Sequence, residues 1–222
     1  IISYGSADEK ADVYAKSITI SNMGTYSFDV YYKGSFECRI DLKVPGRHNV
    51  DNALAAFAAA KVFEIDNKFI KEGLENYGGT DRRFQYKGNF NGITVIDDYA
   101  HHPTEVKATL SAAKNIEKNK LWCIFQPHTY SRTYNLLDEF SEAFDDADKI
   151  VVADIYAARE KDTGLINSSV LVERIKQRGG DAVYVGGFDE IKEYIRQNCS
   201  EGDLLITMGA GDVYLIGEDL VK

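Results

Sequence analysis

The chain has 222 residues, 44% of them hydrophobic and 27% charged, with a formal net charge of −9. That length and apolar content can bury a core and fit one large or two small domains. The negative balance argues against a general nucleic-acid binder, which needs a basic surface to displace counterions, so any phosphate contact must be local and made by individual arginines.

Cys38, Cys123 and Cys199 lie far apart without CxxC spacing, which points to reduced thiols rather than a disulfide framework or a zinc site. No apolar run approaches the ~20 residues needed to cross a bilayer and no signal peptide opens the chain, so a cytoplasmic protein is expected. The chain starts at Ile1 without an initiator Met, and IISYG reads as the end of a strand, so missing upstream sequence is expected.

Residues 12–43 alternate β-formers with polar residues and turn glycines, which predicts three antiparallel strands. After Pro45-Gly46 the pattern becomes VDNALAAFAAAKVF, with Val50, Leu54, Phe57 and Val62 near helical spacing and six alanines between 53 and 60, a buried and closely packed helix. A second helix, roughly 68–77, is expected to end in a left-handed cap at Gly78-Gly79, and the domain boundary is placed there.

From residue 81 the rhythm changes. Strands near 93–97, 121–125, 150–154, 182–185 and 204–207 alternate with helices near 103–118, 131–147, 168–178, 188–198 and 212–220. This alternation predicts an α/β fold with a parallel sheet covered by helices. Open α/β sheets bind ligands at the carboxyl ends of their strands, and four such ends here read VIDDYAHH, IFQPH, VADIYAARE and ITMGAGD.

Three short segments, VPGRHNVDN, DDYAHHPTE and QPHTYSRT, hold all four histidines and all three prolines. In the first, Asn49 and Asn52 share one face of the first helical turn with His48 just before it. Carboxamides can read an adenine edge, whereas the plain structural reading is that Asn49 caps the helix. Arg82 and Arg83 follow the boundary, where a guanidinium could neutralise a transferring phosphate, and at most one of two neighbours on a strand faces a given site.

In DDYAHHPTE, Pro103 suits the first helical position and Glu105 the first turn, so both have a structural explanation. Asp97, Asp98, Tyr99, His101 and His102 exceed what a loop needs. They fit either a metal cluster or polar recognition, with a carboxylate on ribose hydroxyls and a histidine beside a reacting amine. QPHTYSRT offers Gln126, His128, Tyr130 and Arg132. Arg132 is suited to clamp a carboxylate bidentately, against the alternative of a surface ion pair, and Ser131 is a candidate helix cap. GAGDVY lacks the third glycine of a dinucleotide fingerprint, and no GxxxxGK[ST] phosphate loop occurs anywhere.

In this order, with RRF between the first and second, the three segments resemble the Mur ligases, bacterial ATP-dependent amino-acid ligases of peptidoglycan synthesis. The resemblance covers essentially the whole chain. DDYAHHPTE with FQPHTYSRT and DIYAARE is most similar to members that add L-alanine to UDP-N-acetylmuramate, although Ala157 stands where proline is expected. It implies that residues 1–80 are the C-terminal part of the central ATPase domain, antiparallel strands plus two helices, and that residues 81–222 are a Rossmann-like domain, a mainly parallel sheet with helices on both faces. The missing phosphate loop and the missing Met then have one cause, and the fragment alone is expected to be inactive.

The resemblance further implies an acyl-phosphate mechanism with ATP, magnesium, UDP-N-acetylmuramate and L-alanine. Carried over by motif, His48, Asn49 and Asn52 contact adenine, Asp98 the ribose and Arg83 the phosphates. Tyr99, His101, His128 and Arg132 surround L-alanine, with Arg83 and His101 closest to the chemistry. The magnesium ligands are expected upstream, and no metal site is expected in this chain.

A relative that joins a tripeptide to the same sugar nucleotide shares DD, HHP and RRF and is the alternative ligase. From other classes, a metal-dependent phosphohydrolase would use Asp97, Asp98, His101, His102 and His128, and a plain binding module would do no chemistry.

Overall fold

The protein is described here from a computed structural model of residues 1–22 and 24–222. It divides into two compact units, Ile1–Gly79 and Thr80–Lys222.

In the first unit, strands β1 (Tyr4–Gly5), β2 (Val13–Ile20), β3 (Thr25–Tyr32) and β4 (Ser35–Pro45) form a sheet in that order. β1 runs parallel to β2, and the other pairs are antiparallel. Period-two alternation turns Val13, Phe28, Val30, Ile40 and Leu42 to one face, where they pack with Val50, Leu54 and Phe57 of helix α1 (His48–Val62) and Ile70 of helix α2 (Asn67–Asn76). Only a stripe of the alanine-rich helix is buried: Ala53 and Ala58 are inside, whereas Ala56 and Ala59 face solvent. Asp66 caps α2 by accepting from the Lys68 amide at 2.8 Å. The expected left-handed cap is not formed, because the chain leaves the helix at Tyr77 in an extended conformation (φ −66°, ψ 111°) and turns left-handed only at Gly79.

The second unit contains β5 (Gln85–Phe90), β6 (Ile93–Asp98), α3 (Pro103–Lys114), β7 (Leu121–Phe125), α4 (Tyr130–Asn135), α5 (Leu137–Ser141), β8 (Lys149–Val152), α6 (Ser168–Gln177), β9 (Ala182–Tyr184), α7 (Phe188–Asn198), β10 (Leu204–Met208) and α8 (Tyr214–Leu220). The sheet order is β5-β6-β10-β7-β8-β9, parallel throughout except for β5, which pairs antiparallel with β6.

Alternate residues of β7 go to opposite faces. Leu121, Cys123 and Phe125 pack with Val106 and Leu110 of α3, Phe140 of α5 and Leu171 of α6. Trp122 and Ile124 pack with Ile191 and Ile195 of α7 and Ile216 and Leu220 of α8. Both faces are therefore covered, which is why the central strands read as continuous apolar runs.

Two expectations change. Edge strand β5 is added, and the single helix expected over 131–147 breaks at Leu136 (φ −115°, ψ 26°) into two short ones.

Inserting β10 between β6 and β7 sets up the functional edge. Met208 pairs with both Asp98 and Phe125, and Phe125 pairs with Val152, so four strands end level and their loops leave from one rim.

Candidate active site

Asp97 and Asp98 finish β6 and are nearly inaccessible, at 0% and 5% exposure. A buried carboxylate needs compensation. Asp97 accepts from Arg82 Nε at 3.1 Å and from Thr207 Oγ1 at 2.7 Å. Burial still pushes its carboxyl above the usual range, with Thr207 and Arg82 working against the shift. Asp98 accepts from the amides of Phe84 and Ala100, each at 2.8 Å, and burial raises it likewise.

The two arginines of RRF thereby separate. Arg82, left-handed at φ 60°, is consumed by the scaffold: Nη2 donates to the Gly209 carbonyl at 2.6 Å, and the guanidinium lies 4.8 Å from the Tyr99 ring centre and 4.6 Å from that of Tyr214. Arg83 is exposed, 5.9 Å from the Tyr99 ring centre, with no ion pair among the described residues.

The two histidines of HHP separate as well. His102 is the N-cap of α3, its Nδ1 accepting from the Thr104 amide at 3.3 Å, while Glu105 Oε2 takes the amides of His101 and His102 at 3.0 and 3.2 Å. This reciprocal capping box accounts for His102, Pro103 and Glu105 without chemistry. His101 remains, its Nδ1 2.9 Å from the Tyr99 carbonyl. A carbonyl only accepts, so Nδ1, which also lies 3.4 Å from Glu105 Oε2, carries a proton, and in the neutral ring Nε2 is the acceptor.

After β7, Gln126 is buried and donates to Asp212 Oδ1 at 3.1 Å while accepting from the Val213 amide at 3.3 Å. It therefore supports the Gly209–Gly211 turn rather than facing a ligand. His128 follows, its ring 5.9 Å from that of His101 and stacked at 5.5 Å on that of Tyr156. Arg132 Nη1 lies 3.3 Å from His128 Nδ1. Guanidinium only donates, so Nδ1 is the acceptor and Nε2 bears the hydrogen, the reverse of His101. Burial and then the Arg132 charge hold the His128 imidazolium below its ordinary range, which keeps the ring neutral. Arg132 itself is half-buried and, among the described residues, has no carboxylate partner. The cap of α4 is Thr129 rather than Ser131.

Tyr99, His101, His128 and Arg132 are thus brought together, and with them a donor imidazole, an acceptor imidazole and a cation. The arrangement is suited to hold a carboxylate and take a proton from an amine.

In the first unit, His48 is the first residue of α1 and exposed. Gly46 (φ +102°) is confined to glycine, because a Cβ there would come within 2.7 Å of His48 Cε1. Asn49 does not cap the helix. Its Nδ2 reaches back to the Pro45 carbonyl at 2.7 Å, and its Oδ1 accepts from Asn52 Nδ2 at 3.0 Å, which leaves Asn52 Oδ1 toward solvent.

Residues 82–211 match the glutamate ligase domain of the Mur ligases, and residues 1–60 match the Mur ligase middle domain. The chain belongs to the Mur ligase family. It is 50% identical over 222 residues to the UDP-N-acetylmuramate--L-alanine ligase of Caldanaerobacter subterraneus subsp. tengcongensis and 51% identical to that of Lachnospira eligens, with all of this chain and 48% of each relative covered. The chain spans about half the length of the curated relatives it matches. Among solved structures, UDP-N-acetylmuramate-alanine ligase from Thermotoga maritima aligns with a TM-score of 0.82 at 29% identity, covering 99% of this chain and 47% of that one. A murein peptide ligase from Psychrobacter arcticus aligns with a TM-score of 0.65 at 28% identity, covering 98% and 45%.

For this Mur ligase chain the hydrolase alternative lacks its geometry. Asp97 and His102 are spent on scaffold bonds, and among the described residues no group of three His, Cys, Asp or Glu could hold a metal ion. Among the described residues the same donor set does not fit magnesium. No helix among the described residues is long and apolar enough to cross a membrane.

Reasoning from sequence missed Tyr156 as the ring beneath His128. Its place in DIYAARE, just past a strand end, was the available signal.

Proposed function

We propose that the chain is the adenine- and amino-acid-binding portion of a cytoplasmic, ATP-dependent ligase that joins L-alanine to UDP-N-acetylmuramate in peptidoglycan synthesis. In this reading residues 1–80 are the end of the central ATPase domain and residues 81–222 the C-terminal domain. One observation carries it: a half-buried Arg132 without a carboxylate partner among the described residues, turned on His128, with His101 and Tyr99 beside it at the carboxyl edge of a parallel sheet. The relatives of about 50% identity support the choice of amino acid.

The chemistry follows from the weakness of a carboxylate as an electrophile. ATP, when bound, supplies the phosphoryl group that converts the lactyl carboxylate of the sugar nucleotide into an acyl phosphate. The amine of L-alanine then attacks the carbonyl carbon, the new C–N bond forms and inorganic phosphate leaves. The attacking amine must first lose a proton, and His101 Nε2 is the free acceptor that receives it. Arg132 holds the amino-acid carboxylate, which a planar guanidinium can take bidentately, and His128 Nε2–H adds a directional donor. Tyr99 packs edge-on against His101, ring centres 5.3 Å apart, and closes that side of the site. Arg83, exposed and without an ion pair among the described residues, contacts the ATP phosphates. The remaining lone pairs of Asp98 accept from ribose hydroxyls. His48, Asn49 and Asn52 contact adenine, with the outward Asn52 Oδ1 as acceptor.

The test uses the full-length ligase that contains this chain. Arg132→Ala raises KM for L-alanine at least about tenfold and leaves KM for ATP nearly unchanged, whereas Arg83→Ala lowers kcat/KM for ATP. Equal and small effects on both substrates would contradict the assignments.

A further inference from the structure

Thr129 is an unlikely hinge on which to hang a binding arginine. It lies between His128 and the helix that carries Arg132, and its backbone is at φ 67° and ψ 141°. A β-branched residue pays for that conformation with steric strain, so the surroundings must hold it. Helix α4 cannot do so alone, because six residues make fewer than two turns and isolated helices of that length do not persist.

The restraint comes from the loop after β8. Its Tyr156 stacks on His128, donates its amide to the Pro127 carbonyl at 2.9 Å and accepts the Thr129 amide at 2.9 Å. Directly after Tyr156 the chain folds back, with Ala158 left-handed at φ 53° and the Glu160 amide donating to the Ala157 carbonyl at 2.9 Å. That turn delivers the Glu160 carboxylate to the first turn of α4. Oε2 accepts the Ser131 amide at 2.8 Å across 29 residues of sequence, and Oε1 accepts the Ser131 hydroxyl.

We propose that Glu160 is a positioning residue for L-alanine binding: by gripping Ser131 it fixes the first turn of α4 and so holds the Arg132 guanidinium at His128. Tyr156 pins the chain on the His128 side of Thr129, and Glu160 pins it on the Arg132 side. Hydrogen bonds from the Ser131 hydroxyl, and then from the Ser131 amide, hold the Glu160 carboxyl below its ordinary range, so the grip is ionised and charge-assisted at neutral pH. Nothing in the chemistry requires Glu160 to touch substrate.

The proposal rests on the reading of Arg132 as the partner of the amino-acid carboxylate, so its test has two arms on the full-length ligase. In the kinetic arm, Glu160→Ala raises KM for L-alanine about tenfold while KM for ATP and for UDP-N-acetylmuramate stay within about twofold. Glu160→Gln keeps an acceptor for Ser131 and gives a smaller rise. All three KM values moving together, or only the melting temperature falling, overturns the proposal.

The second arm needs no substrate. The Arg132 Nε–Hε resonance and the His128 ring nitrogen shifts move in Glu160→Ala and in Ser131→Ala, which removes one hydroxyl at the surface. Moved resonances with an unchanged KM for L-alanine overturn the role in L-alanine binding and, with it, the reading of Arg132, whereas unmoved resonances overturn the grip on Arg132 alone.

Discussion

Arg132 Nη1 meets His128 Nδ1 at 3.3 Å, and this contact gives His128 the tautomer opposite to the one that the Tyr99 carbonyl sets in His101. A donor imidazole and an acceptor imidazole 5.9 Å apart can serve an amino acid in a way that two equivalent rings cannot.

The same contact sets a pH dependence. Burial and Arg132 lower the folded-state value of His128, so below the ordinary histidine value of about 6.5 the unfolded chain takes up a proton that the folded chain refuses. Stability therefore falls as pH drops through the ordinary value and levels off below the depressed one. His128→Gln, which still offers an acceptor to Arg132, removes that slope. Urea midpoints of the two proteins should converge or cross between about pH 7.5 and 5. Parallel pH profiles would contradict the lowered value.

Glycine substitutions should separate by environment. A Cβ on Gly211 would collide with Gln126 Oε1 and lie 2.8 Å from Tyr156 Cγ, both part of the rim. Gly211→Ala should cost about 1–3 kcal/mol in urea unfolding. Gly73, inside α2 with nothing within 4 Å of its Cβ position, is the counterpart, and Gly73→Ala should stabilise by about 0.5–1 kcal/mol. Similar signs at both positions would contradict the packing described.

Arg82 should act through stability. Arg82→Met uncovers the buried Asp97 carboxylate and should cost about 3 kcal/mol, much of it recovered by adding Asp97→Asn, which leaves no charge to compensate. Additive losses in the double variant would show that the pair is not the reason.

How much of this was legible in sequence depended on the range of the interaction. The βα alternation was readable because buried parallel strands such as LWCIF and LLITM stand out as apolar runs. QYKGNF was not readable as β5, since an edge strand with a register shift at Gly88 carries polar residues and glycine in place of an alternating pattern. Pro103 and Glu105 announced the start of α3 through local rules. Which arginine of RRF was free could not be read from local rules, because the competitors for Arg82, Asp97 and Gly209, lie 15 and 127 residues away. Glu160 was invisible for the same reason, its partner Ser131 being fixed only by tertiary structure.

The purified 222-residue chain should make no UDP-N-acetylmuramoyl-L-alanine when given ATP and both substrates, because it contains no GxxxxGK[ST] loop to hold the triphosphate. Measurable product would reveal a second route to nucleotide activation.

The most direct measurement is phosphate release by the full-length ligase with ATP and UDP-N-acetylmuramate, comparing L-alanine with a tripeptide as the amine substrate. A site built on Arg132, His128, His101 and Tyr99 predicts that L-alanine drives turnover at least about a hundredfold better in kcat/KM. Preference for the tripeptide, or phosphate release indifferent to the amino acid, would contradict it.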